Sequence, residues 1–354
     1  MSFETLHKFL TDCTTKEKIP GCVCWIGNDK DTLFFHEYGY AQIVPEKIRM
    51  SRDTIFDLAS ITKPVGTAMA IMQLTERKKI KLDDKIKKFL PDFKNKPNGE
   101  KTIHELLTHT SGIPAWFPIY ILSEEKRMDY LAKTNTGKSK VIYSCLGYII
   151  LGKIVGIVSG YSLDKYCTTY IFKKTGVKTT RFGNITKKNI AATEFGNKHE
   201  KKMALKYGKV SKIKWRDYVI KGEVHDGNAF YSYKGVSGNA GLFSNARDLA
   251  MIMRHYLDEE IVKPGTLKMM IKDHTGAKEK RGLGWVIDPY PELLAHTTFY
   301  HTGFTGTMCL AEPKSNLIII LLTNVIHPKV RLGIMPEIRR KVVKLTSKIL
   351  RSRQ

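Results

Sequence analysis

Ser60-Ile61-Thr62-Lys63 sits where the apolar run Ile55-Phe56-Asp57-Leu58-Ala59 gives way to a helix-like stretch from Val65 to Leu74. A serine and a lysine three positions apart in the first turn of a helix share one face, which places the ammonium beside the hydroxyl. A desolvated lysine in that position can take the serine proton and turn the serine into an acyl-transfer nucleophile. The tetrapeptide does not single itself out, because Ser-x-x-Lys recurs at Ser123, Ser162 and Ser211 in this lysine-rich chain. Its surroundings have to choose among the copies.

Two further elements supply those surroundings. Tyr143-Ser144-Cys145 precedes the apolar run Leu146 to Gly152, and His301-Thr302-Gly303-Phe304 precedes the strand-like segments Thr307 to Ala311 and Leu317 to Leu322. The order Ser-x-x-Lys, Tyr-x-x, x-Thr-Gly resembles the serine β-lactamase and penicillin-binding-protein superfamily, with class C β-lactamases and family VIII carboxylesterases the nearest look-alikes. The connecting text matches as well: Thr54 to Ser60, Leu82-Asp83-Asp84, Leu106 to Pro114, Gly241-Leu242-Phe243-Ser244, Gly284-Trp285 and Leu322-Thr323-Asn324. The resemblance runs from about residue 20 to about residue 330.

The resemblance implies a role for each motif residue. Ser60 is the nucleophile, Lys63 its proton acceptor, and Tyr143 a general base or proton shuttle. A phenol serves that way when neighbouring cations lower its pKa, and Lys63 is the expected cation. Cys145 stands where the family usually has asparagine, so the carboxamide that binds substrate amide and lysine is missing. That departure bears on β-lactam or D-Ala-D-Ala specificity more than on acyl transfer. His301 stands where many relatives carry lysine. A histidine with an ordinary pKa near 6.5 is a poor anion anchor at neutral pH and a better one toward pH 6. Thr302 and Gly303 form the rest of the strand-edge motif, Gly303 allowing close approach of substrate. The amides of Ser60 and Phe304 are the expected oxyanion donors.

Composition sets the outer limits. At 354 residues and 42% hydrophobic, the chain can bury a large core. The net charge of +25 comes from lysines spread through every block, without the arginine–aromatic interleaving of a nucleic-acid site. A solvated basic surface is the expectation, with no nucleic acid as partner; the charge would also steer anionic substrates. No run has the length of a membrane span. Met1 to Lys16 is amphipathic without a signal-peptide apolar region, and the six cysteines show no Cys-x-x-Cys spacing. A cytoplasmic location with free thiols is expected. Cys22 and Cys24 would share one strand face.

Along the chain, Gly21 to Ile26 and Thr32 to Tyr40 read as a β-hairpin, and Ser60 to Arg77 as a helix whose Pro64 is tolerated only in its first turn. Helical patterns and turns fill residues 70–235, with basic loops near Lys94 and from Lys201 to Lys214. Strands follow near Gly284 to Ile287, Phe299 to Ala311 and Leu317 to Asn324. A last helix keeps Met335, Ile338, Val342, Leu345 and Ile349 on one face. The expected architecture is α+β with a β-lactamase/transpeptidase-like fold. An antiparallel sheet from both chain ends, residues 1–69 and 236–354, is flanked by helices, and a mostly helical domain, residues 70–235, is inserted.

Three other patterns fail on context. His104 and His109 are five apart and diverge on a helix, so no metal site is expected. Ala132 to Ser139 approximates a phosphate-binding loop but follows a charged segment, and no Gly-x-Ser-x-Gly elbow exists. A second His-Thr-Gly at His274 leads into Lys278-Glu279-Lys280 and reads as a loop. His225 and Asp226 either line the cleft or cap a turn. The expected function is a serine hydrolase that forms an acyl-enzyme on a small-molecule ester or amide, with no cofactor. The alternatives are a non-catalytic scaffold that kept the fold, and a peptidase or β-lactamase.

Overall fold

The computed structural model describes residues 2–137, 141–186, 189–208, 210–331 and 333–352. Lys138 and Ser139 of the phosphate-loop look-alike and Lys209 of the basic loop lie outside the described residues.

The hairpin forms where the alternation places it, as β1 (Gly21–Gly27) and β2 (Thr32–Gln42). A short β3 (Ile48–Arg49) extends it. Three two- or three-residue strands, β4 (Phe56–Asp57), β5 (Arg181–Phe182) and β6 (Leu242–Ser244), make a small separate sheet in the order β4-β6-β5. The chain then returns to the large sheet as β7 (Val286–Ile287), β8 (Phe299–Thr302), β9 (Met308–Glu312) and β10 (Leu317–Thr323). The large sheet has seven strands in the order β3-β2-β1-β10-β9-β8-β7. Both chain ends therefore meet at its centre, where β1 and β10 pair antiparallel with Trp25 opposite Ile320 and Cys24 opposite Leu321.

The two faces of these central strands enter different cores, as the two-residue period requires. Val23 and Trp25 of β1 and Ile318, Ile320 and Leu322 of β10 join the main core with Ile71, Ile149 and Ile252. Cys22, Cys24 and Ile26, with Leu317, Ile319 and Leu321, face the terminal helices Glu4–Thr15 and Met335–Arg351. Cys22 and Cys24 thus share a face as free, buried thiols. All five apolar residues expected on the inner face of the last helix are buried there.

The stretch after Ser60 is helical but changes pitch. A tight turn at Ala59–Ile61 is followed by a wider one at Lys63–Ala68 and a regular helix at Met69–Glu76. Pro64 falls where its missing N–H is not needed. The Thr62 hydroxyl accepts from the Leu242 amide at 3.1 Å, tying this start to β6. The helix Cys145–Ser159 begins at Ser144, whose hydroxyl accepts from the Gly147 amide, and ends at Gly160 with φ +73°. Its apolar length sinks into the main core. Among the described residues no single helix is long and apolar enough to cross a membrane.

Candidate active site

Ser60 is presented by a strained turn. Ala59, just before it, has φ +47°, a left-handed conformation that costs a residue with a Cβ roughly 1 kcal/mol. Asp57 holds the strain in place. Its buried carboxylate accepts the Ala59 amide at 2.8 Å and the His225 amide at 2.8 Å, fastening the Ser60 turn to the His225 loop. Burial raises the Asp57 pKa, and the two amide bonds oppose that rise.

The turn between β8 and β9 closes the other side. Thr305 donates its hydroxyl to the Asp57 carbonyl at 2.7 Å, and Thr307 to the Leu58 carbonyl at 3.2 Å. Gly303 makes this approach possible: a Cβ on it would lie 2.4 Å from the Leu58 carbonyl oxygen and 3.3 Å from the Ala59 Cβ. Any side chain at 303 would force the turn between β8 and β9 away from the Leu58–Ala59 segment.

Lys63 is fully buried. Its ammonium donates to Ser60 Oγ at 2.9 Å and to the Asn239 carbonyl at 3.1 Å, and stands 4.9 Å from the Tyr143 ring centre. Tyr143 interacts electrostatically with both Lys63 and Ser60, and Cys145 with Lys63 and the Asn239 side chain. Burial works against the charge of Lys63, while Cys145 and Tyr143 favour it, and the balance lies above the ordinary lysine value. Burial also raises Tyr143 and Cys145, more than Lys63 lowers them. The cluster therefore rests at neutral pH with its protons on. The cation beside Tyr143 does not make it a resting phenolate, because desolvation outweighs the attraction.

His301 packs behind Tyr143, with 6.0 Å between ring centres, and is 3% exposed. Its Nδ1 donates to the Thr302 carbonyl at 2.9 Å, and its buried Nε2 has no partner among the described residues. Burial, Lys63 and Arg281 push its pKa well below the usual value, so it stays neutral at pH 6. The stronger anion grip expected toward pH 6 is thereby removed.

Phe304 lies on the opposite side, stacked on His225 at 5.5 Å and 17°, and His225 Nε2 meets Glu194 Oε2 at 3.0 Å. His225 and Asp226 both belong to the site's wall. Asp226 accepts the Asn239 amide group at 3.1 Å and the Ala229 amide at 2.8 Å, so it lines and caps at once.

Ser60, Lys63, Tyr143 and Cys145 thus form one contact cluster, His301 and Thr302 back it, and Gly303 and Phe304 border it. Four neighbours escaped the sequence reading: Asp57 as a clamp, Asn239, His109 and Arg281. His109 accepts the Ser144 amide on Nδ1 at 2.9 Å and lies 4.6 Å from the Tyr143 ring. Arg281 lies 5.4 Å from the same ring. The Leu106 to Pro114 block was the available signal for His109 and the Thr54 to Ser60 block for Asp57; nothing local marked Asn239 or Arg281. His104 pairs with His274 at 3.1 Å rather than with His109, and no group of metal-ligating side chains occurs among the described residues. His274-Thr275-Gly276 lies in a loop.

Comparison with known proteins gives a consistent picture. A family model described as beta-lactamase matches residues 6–344. A provisionally named D-alanyl-D-alanine carboxypeptidase of Escherichia coli K12 is 32% identical over 332 residues, covering 83% of this chain and 74% of the relative. An N-acetylmuramyl-L-alanine amidase of Bacillus subtilis 168 is 32% identical over 356 residues, covering 88% and 78%. Among solved structures, EstCE1, a hydrolase with promiscuous acyltransferase activity, superposes with a TM-score of 0.75 at 20% identity over 96% of this chain and 98% of the other. At that identity the likeness is one of fold.

Proposed function

The chain belongs to the beta-lactamase family of serine hydrolases, and from that premise we propose that it cleaves small neutral esters or amides through an acyl-enzyme on Ser60. The observation that carries this reading is the 2.9 Å contact between Lys63 Nζ and Ser60 Oγ inside a fully buried cluster. Ser60 Oγ bonds to the substrate carbonyl carbon as its proton passes to the Lys63–Tyr143 pair. The carbonyl electrons move to oxygen, which the amides of Ser60 and Phe304 receive. The pair returns the proton to the departing alcohol or amine, and water repeats the sequence to free the acid.

Because Lys63 and Tyr143 both lie above their ordinary values, the form lacking one proton is scarce at pH 7. It grows about tenfold per pH unit below the cluster's pKa, so turnover rises toward alkaline pH. Lys63 is spent on Ser60 and Asn239, and His301 is neutral, so neither presents a free cation to a substrate carboxylate. That favours neutral acyl groups over carboxylate-bearing β-lactams. The names of the two curated relatives favour an amide as the bond cleaved. Mixing enzyme with p-nitrophenyl acetate tests the acyl-enzyme directly. A burst equal to the enzyme concentration, with an acetyl adduct by intact mass, is expected; linear release without an adduct would overturn the reading.

A further inference from the structure

His109 occupies a backbone position that disfavours it. The helix Ile103–Leu107 ends at Thr108, and the next two residues close it. The His109 amide donates to the Leu106 carbonyl at 3.3 Å and the Thr110 amide to the Glu105 carbonyl at 2.9 Å. That closure needs a left-handed residue at its corner, a place usually taken by glycine and sometimes by asparagine. His109 takes it with φ +61°, a conformation that crowds its Cβ. A second cost falls on the same side chain, because its Nε2 is buried and has no partner among the described residues. Ending the helix explains neither cost, since glycine would end it without them.

The remaining groups of His109 all serve the segment that carries Tyr143. Its carbonyl accepts the Ile142 amide at 2.8 Å, and its Nδ1 accepts the Ser144 amide at 2.9 Å. One residue thus holds the chain immediately before and immediately after the tyrosine. The hold matters there because Val141 to Ser144 is irregular backbone, fixed by neither helix nor sheet. The His109 ring lies 4.6 Å from the ring of Tyr143 and 5.1 Å from that of Tyr148, whose hydroxyl donates to the Leu107 carbonyl at 3.0 Å. The ring is therefore held by the helix end on which it stands. Because the Ser144 amide donates to Nδ1, the imidazole proton is on Nε2. Burial, then Arg281, Lys63 and His301, hold the His109 pKa well below its usual value, so Nδ1 remains an acceptor.

We propose that His109 is the positioning residue of Tyr143, its carbonyl and Nδ1 fixing the backbone on both sides of the phenol so that the ring stays beside the Ser60–Lys63 pair. The Lys63 ammonium stands 4.9 Å from the centre of that ring. His109 itself touches neither the nucleophile nor a substrate in this role; it acts through the tyrosine.

The inference rests on the serine-hydrolase reading, and the experiment separates the two. The kcat/KM for p-nitrophenyl acetate is measured on wild type, His109→Gly, His109→Asn, Tyr143→Phe, and His109→Gly combined with Tyr143→Phe, with a Tm for each. Glycine suits the left-handed corner and keeps the carbonyl but has no Nδ1; asparagine suits the corner and offers Oδ1 in place of Nδ1. His109→Gly is expected to lose at least about tenfold, since a 1 Å displacement of a catalytic group costs up to about a hundredfold. His109→Asn should stay within about threefold of wild type, and the combined variant should be no slower than Tyr143→Phe alone, because residues that act as one unit are not additive. A histidine that served only the fold would slow the enzyme further in the Tyr143→Phe background. Should His109→Gly not fold, His109→Leu, which keeps bulk without an acceptor, takes its place. Multiplied losses in the combined variant, wild-type turnover without the acceptor, or a His109→Asn enzyme as slow as His109→Gly overturns the positioning role. Absence of an acyl adduct on Ser60 in the wild type instead overturns the hydrolase reading on which it stands.

Discussion

Lys63 and His301 flank the same tyrosine, and burial treats them in opposite ways. On the helix side, Lys63 is completely buried yet stays charged, because Ser60 Oγ and the Asn239 carbonyl accept from it and Cys145 and Tyr143 lean toward it. On the sheet side, His301 is 3% exposed, keeps one nitrogen unpartnered, and is driven neutral by the same Lys63 together with Arg281. A buried lysine can be kept as a cation only with acceptors built around it, whereas a histidine sheds its proton and sits in the same surroundings at lower cost. The helix side thus keeps a buried cation, and the sheet side carries shape and electrostatic restraint.

The comparison breaks most completely at Lys63. Lys63→Met fills nearly the same space without the charge. Ester turnover should fall on the order of 10³-fold, while Tm should hold or rise, since a buried charge replaced by an apolar isostere is often neutral or stabilising. Thermal melts and steady-state kinetics on one preparation test both halves. A large loss of Tm would mean that Lys63 serves the fold rather than the chemistry.

Asp57 joins the two sides, so its loss should damage both. Asp57→Ala strips acceptors from the Ala59 and His225 amides. At about 1–3 kcal/mol for each orphaned donor, Tm should drop by roughly 3–8 °C, with turnover falling as the Ala59 turn relaxes. A variant with unchanged Tm would show that the strained turn holds itself.

The sheet side can be charged deliberately. His301→Lys adds a cation beside Lys63 and Tyr143, which disfavours the ammonium and favours the phenolate. Both pKa values therefore fall, and the alkaline rise in kcat/KM should move down by about one pH unit. A profile from pH 6 to 10 on a neutral ester reads the shift; an unmoved limb would uncouple the two sides. The smallest effect is expected at Cys145. Cys145→Asn places a carboxamide against Lys63 and Asn239 and should raise β-lactam acylation relative to ester acylation by about threefold, the scale of one added hydrogen bond. A stable variant with the same ratio would mean that position 145 does not meet the substrate.

Some of this molecule was legible before its structure and some was not, for physical reasons. The β1–β2 hairpin, the last helix and the pairing of Ser60 with Lys63 depend on residues close in sequence, where a period of two or 3.6 is visible. Tyr143, His301 and Phe304 were reached through motif order. Asn239 was not, because it offers Lys63 a backbone carbonyl 176 positions away, and a carbonyl leaves no trace in residue type. Asp57 looked like one polar residue in an apolar run; its partner His225 is 168 positions distant. The raised pKa of Tyr143 and the extent of the lowering at His301 also escaped, since they follow from desolvation and sequence does not report burial. The pair Cys22 and Cys24 shows the converse: two-residue alternation alone put both thiols on one face.

The central claim is that Ser60 is the nucleophile of a covalent hydrolase. Intact-mass measurement after treatment with a fluorophosphonate, on wild type and on Ser60→Ala, tests it most directly. One phosphonyl group on the wild-type chain, located by peptide mapping at Ser60 and absent from a fully folded Ser60→Ala protein, is the predicted result. An adduct of equal stoichiometry on both proteins, or none on either, would contradict it.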